Sequence, residues 1–360
     1  MAKDGAKYSD KRRKGYKTVM MKTKTGRILC RTGIALSFVL CFAVAAAALI
    51  FPLAFSGAYP NLAVTLTETF SVSRGTQFLV RTFRSDAEIR EVMEAGLYYS
   101  KFPEYEDLSA FADPADFEPE KRIEYFTLRG TSFVGHVLVI HDPTAVKLFV
   151  TPDLGTQGYS LSEYNERLGL AAGINAGGYL DNDTLLGKGG IPAGSVIAGG
   201  EIVWRADMPE EKENLIGFTE DGVLVFGCWK AAEAVERFSL RDAVSFRPAL
   251  VCEGEGLIRE GTGGYGYAPR SAIGQRADGA VIFVMLEGRR PSSIGATLLD
   301  VQNVLLDYGA YTGAMLDGGS CSTLVFNGGR VSRPVDFFGE RPVPSVFGVT
   351  LSDLEGGAGK

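Results

Sequence analysis

Residues Gly33–Phe55 read GIALSFVLCFAVAAAALIFPLAF, 23 residues without a charge. As a helix rising about 1.5 Å per residue, this run matches the ~30 Å hydrocarbon core of a bilayer. Charge is divided around it. Residues 1–32 hold eleven Lys/Arg against two Asp, whereas the rest of the chain holds 26 basic against 41 acidic residues. The positive-inside rule therefore predicts a single-pass anchor at the cell membrane over 33–55, a basic cytoplasmic tail over 1–32, and the acidic bulk outside. A cleavable signal peptide has a shorter apolar region of roughly 7–15 residues, although Ser56-Gly57-Ala58 offers small residues for cleavage. Beside a span, the basic segment reads as a contact for anionic headgroups, and the acidic ectodomain argues against a nucleic-acid ligand.

Only two histidines exist, His136 and His141, and no C-x-x-C occurs. A three-His zinc site, a zinc ribbon and a thioredoxin-like motif are thereby excluded, so no metal and no cofactor are expected. Both histidines read as ordinary strand and turn residues. Outside the span, Cys228, Cys252 and Cys321 permit at most one disulfide, with Cys228–Cys252 the pair to consider. The 45 glycines among 360 residues exceed the usual ~7% without a G-X-Y period. They imply many tight turns, or a backbone that approaches a ligand closely.

Residues 56–129 read as a membrane-proximal region, with a helix over Ser85–Ala95 capped by Ser85 and Glu88 and an acidic, proline-bearing spacer after it. Strand-like runs follow at Val134–Ile140, Val146–Val150, Ala171–Asn175, Glu201–Trp204, Val223–Phe226, Ala280–Leu286 and Ala314–Leu316. Helices are expected at Ser160–Leu168 and Ala231–Phe238. A longer one is expected over Ser293–Tyr308, where Ile294, Leu298, Val301, Leu305 and Tyr308 form one stripe, with Ser292 or Ser293 at its start. Short strands with few long helices predict an α+β domain with a mixed β-sheet core over 130–351, preceded by the single transmembrane helix and followed by a flexible tail over 352–360.

Three glycine-flanked polar clusters carry the chemistry. In GINAGGYLD (173–181), a strand delivers Asn175 into a turn made by Gly177 and Gly178, and its amide suits sugar hydroxyls. In PRSAIGQRADGAVIFVMLEGRR (269–290), Arg270 opens a hairpin and Glu287 and Arg289 stand at a strand end. Arginine there can grip phosphate through two donors. In MLDGGSCSTL (315–324), Asp317 precedes Gly318-Gly319, then Ser320, Cys321, Ser322 and Thr323. Consecutive amides around paired glycines can form an anion-binding nest. No P-loop and no G-x-S-x-G elbow is present.

These three clusters, together with IPAGSVIAGGEIV (191–203) and the terminal RPVDFFGERPVPSVFGV (333–349), occur in the order and spacing of the phosphodiester glycosidase family. The chain resembles that family from about Gly130 to Leu351. The family includes the enzyme that uncovers mannose 6-phosphate by removing N-acetylglucosamine. Three positions depart from its pattern: Gly178 and Tyr179 replace a bulky aromatic pair, Cys321 interrupts the serine-rich stretch, and LEGR carries Glu287 where the family has Asp.

The resemblance implies cleavage of the sugar C1–O bond of a sugar-1-phosphodiester, on a phosphodiester-linked glycan of cell wall or exopolysaccharide. In such a reaction Asp317 is expected at the anomeric carbon, with Glu287 or Asp181 as second carboxylate. Arg270 with Gly318, Gly319 and Ser320 would hold phosphate, Asn175 the sugar, and Arg289 would orient the carboxylates; Gly177, Ser322 and Thr323 would line the substrate. A phosphate leaving group lowers the demand for an acid and raises it for stabilising an oxocarbenium-like centre. Cys321 as nucleophile is a rival assignment, and a non-catalytic surface scaffold that binds glycan is the alternative function.

Overall fold

A computed structural model describes residues 24–72, 75–95, 122–180, 187–205, 211–259, 261–333, 335 and 339–355. The chain divides into two compact units, Met1–Val64 and Thr65–Lys360. In the first, helix α1 (Lys24–Phe55) starts before the expected Gly33, and its apolar stretch Cys30–Phe55 is long enough to cross a bilayer and is largely unburied. Helices α2 (Pro60–Ser71), α3 (Gln77–Arg81) and α4 (Asp86–Ala95) follow. The Ser85–Glu88 cap on α4 forms as expected: Ser85 N–H donates to Glu88 Oε2 at 2.7 Å, and Glu88 N–H donates to Ser85 Oγ at 3.3 Å.

The remaining elements are, in order, β1 (Ile123–Arg129), β2 (Val134–Ile140), β3 (Lys147–Val150), α5 (Leu161–Leu168), β4 (Leu170–Asn175), β5 (Tyr179–Leu180), β6 (Ile191–Pro192), β7 (Val196–Ala198), β8 (Glu201–Trp204), β9 (Glu213–Thr219) and β10 (Leu224–Trp229). Then come α6 (Ala231–Phe238), β11 (Leu240–Ser245), β12 (Ala249–Cys252), β13 (Glu255–Gly256), β14 (Arg270–Arg276), β15 (Val281–Leu286) and α7 (Leu298–Asp307). Strands β16 (Ala310–Leu316), β17 (Leu324–Phe326), β18 (Gly329–Arg330) and β19 (Ser345–Thr350), with helix α8 (Leu351–Glu355), complete the fold. This is the α+β, sheet-rich architecture with few helices that the sequence predicts.

Three sheets build the core. Their orders are β1-β2-β15-β14-β16-β12-β13, β10-β9-β11-β7-β8 and β18-β17-β4-β19-β3. Alternating side chains of the large sheet separate onto two faces. Leu138, Ile273, Phe283 and Leu316 join residues of the other two sheets, such as Phe218, Ile174 and Phe347, in one buried cluster. On the opposite face Val137, Ala272, Val284 and Met315 meet Leu298, Val301 and Leu305 of α7.

Several boundaries need correction. Residues 123–129, assigned to the membrane-proximal region, pair along their whole length with β2 and form the outer strand of the large sheet. The C-terminal tail is not all free, because 351–355 is helical and Asp353 pairs with Lys147 at 2.6 Å. Helix α7 begins at Leu298 with a Thr297–Asp300 capping box, not at Ser293. Ser293 Oγ instead donates to the Glu287 carbonyl at 2.7 Å and accepts from Val134 N–H at 3.0 Å, and Ile294 is exposed. Cys228 and Cys252 are free thiols rather than a disulfide.

Candidate active site

The register of the sheets brings the three clusters together. Arg270 opposes Leu286 and Ser271 opposes Leu316, so the N-terminal end of β14 lies between the C-terminal ends of β15 and β16. Glu287 and Asp317 leave those two ends. From the third sheet, β4 delivers Asn175 and Ala176 to the same place. Ala176 C=O accepts from Asp317 N–H at 2.9 Å.

Asn175 is fully buried and holds this junction. Its Nδ2 donates to the Asp317 carbonyl at 2.6 Å, and its Oδ1 accepts from Ser271 Oγ at 2.7 Å and Thr323 N–H at 3.1 Å. With oxygen and nitrogen so engaged, the residue positions Asp317 and does not reach sugar hydroxyls, which corrects its expected role. Ser322 and Thr323 are also buried, and Thr323 Oγ1 donates to the Cys321 carbonyl, so these two lie inside the fold behind Asp317. Gly177 is needed for packing: a Cβ there would stand 2.9 Å from the Cβ of Val244.

At the start of β14, Arg270 is buried. Its Nη2 donates to the carbonyls of Tyr265 (2.7 Å) and Gly266 (2.8 Å), and its Nε to that of Ala296 (3.1 Å). It is therefore not the open fork expected from the sequence, although its Nη1 makes none of these three bonds. Burial, reinforced by the neighbouring Arg289 charge, pulls the guanidinium down to about 10. Arg289 is exposed and adopts a left-handed φ of 56°, which a hairpin bond to Ile294 C=O (2.8 Å) maintains. Such backbone strain in a non-glycine residue is concentrated at functional sites. Its Nη1 donates to Ser320 Oγ at 3.0 Å, and its Nη2 lies 3.4 Å from where a Gly319 Cβ would stand. The expected nest is only partial, since Gly319 N–H donates to Pro269 C=O at 2.8 Å. The Arg289 charge acts unfavourably on Arg270, so an anion beside the paired glycines and Ser320 would relieve that repulsion.

On the carboxylate side, Asp317 is half-buried next to the Cys321 thiol. Burial pushes that thiol well above its ordinary range, and the Asp317 charge pushes it further. A neutral, buried thiol is a poor nucleophile, which argues against the Cys321 alternative. Cys321 Sγ lies 3.4 Å from the Tyr179 oxygen, which accepts from Arg341 Nε at 3.3 Å. Tyr179 and Arg341 were not picked out as site residues by the sequence reading, although both lie in the quoted motifs.

Glu287 ends a chain of three side chains. Tyr125 Oη is 2.8 Å from His136 Nδ1, and His136 Nε2 is 3.4 Å from Glu287 Oε1, which also accepts from Arg333 N–H at 3.0 Å. Burial raises the Glu287 carboxyl, but the His136 contact, the Arg333 amide and the Arg290 charge outweigh it and leave it below the ordinary value of 4.5. His136 was read as an ordinary strand residue. The only sequence signal for its role is its alternation with Leu138 and Ile140 on the face that Glu287 also takes. Asp181 lies outside the described residues. Among the described residues, no three His, Cys, Asp or Glu side chains gather as a metal-ligand set.

Comparison with known proteins adds a family. A family model described as phosphodiester glycosidase (NAGPA) matches residues 169–350, about half of the chain. The SPbeta prophage-derived uncharacterized protein YomE of Bacillus subtilis (strain 168) is 33% identical over 85 residues, 24% of this chain and only 13% of that protein. The zebrafish N-acetylglucosamine-1-phosphodiester alpha-N-acetylglucosaminidase catalytic domain, auto-inhibited by its pro-peptide, superposes with a TM-score of 0.54 at 20% identity, covering 71% of this chain and 96% of that one. A hypothetical protein from Synechocystis superposes with a TM-score of 0.50 at 15% identity, over 63% of this chain and 61% of that one.

Proposed function

Since the chain belongs to the phosphodiester glycosidase family, we propose that it is a membrane-anchored hydrolase that cleaves the sugar C1–O bond of a sugar-1-phosphodiester outside the cytoplasm. The substrate class is a phosphodiester-linked glycan of the N-acetylglucosamine-1-phosphate type, in a wall polymer or exopolysaccharide. Helix α1 serves as the anchor, with its basic flank on the cytoplasmic side.

The observation that supports this reading is the carboxylate Asp317 at the head of Gly318-Gly319, two glycines that lie against Arg270 and Arg289: a Cβ on Gly318 would stand 3.9 Å from Arg270 Cδ, and one on Gly319 3.4 Å from Arg289 Nη2. Asp317 acts at the anomeric carbon, as nucleophile or as the base that takes a proton from water. The water oxygen ends on C1, the C1–O bond breaks, and its electron pair leaves with the phosphomonoester toward the exposed Arg289, with the buried Arg270 charge behind it. Glu287, held ionised, fits the stabilisation of positive charge at the ring better than it fits an acid. That assignment is consistent with a leaving group that departs as an anion without protonation.

The test uses the full chain in detergent, N-acetylglucosamine-1-phospho-alkyl esters and ¹⁸O-labelled water. Label in the free sugar is the expected result. Label in the phosphate means P–O cleavage and overturns the reading, and binding without turnover assigns the protein to the glycan-binding scaffolds.

A further inference from the structure

Helix α2 ends on the loop that holds Arg270. Thr67 and Glu68 are buried, at 0% and 3% exposure, in a segment that the sequence reads as membrane-proximal and that lies outside the family match. Glu68 Oε2 accepts from Thr262 Oγ1 at 2.6 Å, and the carboxylate also takes the Gly266 N–H. Thr69 Oγ1 accepts from Tyr267 N–H at 3.2 Å. Gly266 makes this approach possible: its φ is +51°, and a Cβ there would lie 2.5 Å from both the nitrogen and the Oγ1 of Thr69.

The same two peptide groups face Arg270 with their other ends. The peptide joining Tyr265 to Gly266 gives its N–H to Glu68 and its C=O to Arg270 Nη2. The next one gives its N–H to Thr69 and its C=O to the same nitrogen. Hydrogen bonds in series polarise one another, so an acceptor at the N–H end makes the carbonyl at the far end a better acceptor. It also fixes the direction of that carbonyl.

We propose that the last turn of α2 is a positioning element for the phosphate site, in which Glu68 and Thr69 orient the two peptide carbonyls that set the Arg270 guanidinium. This rests on the reading of Arg270 as a phosphate-side residue. Burial raises the Glu68 carboxyl, while Thr262, the Arg270 charge and the Gly266 amide act in the opposite direction. That environment suits a group held for its acceptor oxygens.

The test measures binding of inorganic phosphate by calorimetry, and hydrogen exchange over 262–268, in the full chain and in four variants. Glu68→Ala is expected to bind phosphate about tenfold more weakly, with faster exchange at Gly266 and Tyr267. Glu68→Gln keeps an acceptor oxygen and stays within about threefold, and Thr69→Val falls between the two. Arg270→Ala loses more than any of them. If Glu68→Ala and Thr69→Val bind phosphate as the parent does while Arg270→Ala does not, the role of α2 is overturned and that of Arg270 stands. If Arg270→Ala also binds as the parent does, both fall. Should Glu68→Ala fail to fold, unchanged exchange at Tyr267 in Thr69→Val overturns the proposal on its own.

Discussion

The lip and the wall of the cleft come from the same motifs and do different work. Asp317, Arg289 and Ser320 stand at the lip, half-buried or exposed. Asn175, Arg270, Ser322 and Thr323, a few residues away in sequence or one strand across, face inward and bond to backbone or stay wholly buried. A glycine-rich motif thus combines two kinds of residue: those left open at the candidate site, and those that fix the loop presenting them. The difference teaches that chemical type alone does not assign a polar residue to the reaction. An amide such as that of Asn175 suits a sugar, yet here it is committed to three internal partners.

Two buried carboxylates extend the contrast. Glu287 and Glu68 are about equally buried, at 6% and 3%, but shift in opposite directions. Glu287 has an imidazole, an amide and the Arg290 charge to overcome desolvation. Glu68 has a hydroxyl, an amide and an arginine that is itself bonded to carbonyls. Partners, and not burial alone, decide the direction in which each carboxyl shifts.

Mutation at the lip and at the wall should therefore separate kinetics from stability. The largest effect is expected for Asp317→Asn, with kcat lower by about 10³-fold and the thermal midpoint almost unmoved. Turnover near that of the parent would remove Asp317 from the reaction. Asn175→Ala should behave in the reverse sense, costing about 2–4 kcal/mol in denaturant unfolding because it leaves buried donors and an acceptor unpaired. A stable Asn175→Ala protein with normal unfolding but weakened sugar affinity would return Asn175 to the lip. The smallest effect is on pH dependence. The folded Glu287 carboxyl sits below its unfolded value, so it adds stability above the ordinary glutamate range that is lost as pH falls through its folded value. His136→Phe removes the main favourable partner. The acid limb of kcat/KM should move to higher pH and stability at neutral pH should fall. An unshifted limb would detach His136 from the site.

Much of this molecule was legible in the sequence. The capping pair Ser85–Glu88 formed where the sequence places it, because a cap depends on residues three apart. Strands Val134–Ile140 and Glu201–Trp204 and helix Ala231–Phe238 were read with their full bounds. The start of α7 was misread because Ser293, a good capping residue, is held by Glu287 and Val134, and that contact joins parts of the chain 159 residues apart. His136 and Glu68 were passed over for the same reason. Their partners, Glu287 and Thr262, lie on elements that nothing local brings near.

By itself the sequence determined an apolar helix of membrane-spanning length with a basic flank, an α+β domain, the family, and the segments from which the cleft is built. Those follow from hydropathy, short-range periodicity and ordered motifs, all written in neighbouring residues. Only the tertiary structure decided which way each polar residue faces, in which direction each buried carboxyl shifts, and that a helix before the family domain reaches the loop bonded to Arg270. Those depend on sheet register and on desolvation by distant segments, and neither quantity is a property of any stretch of chain read alone.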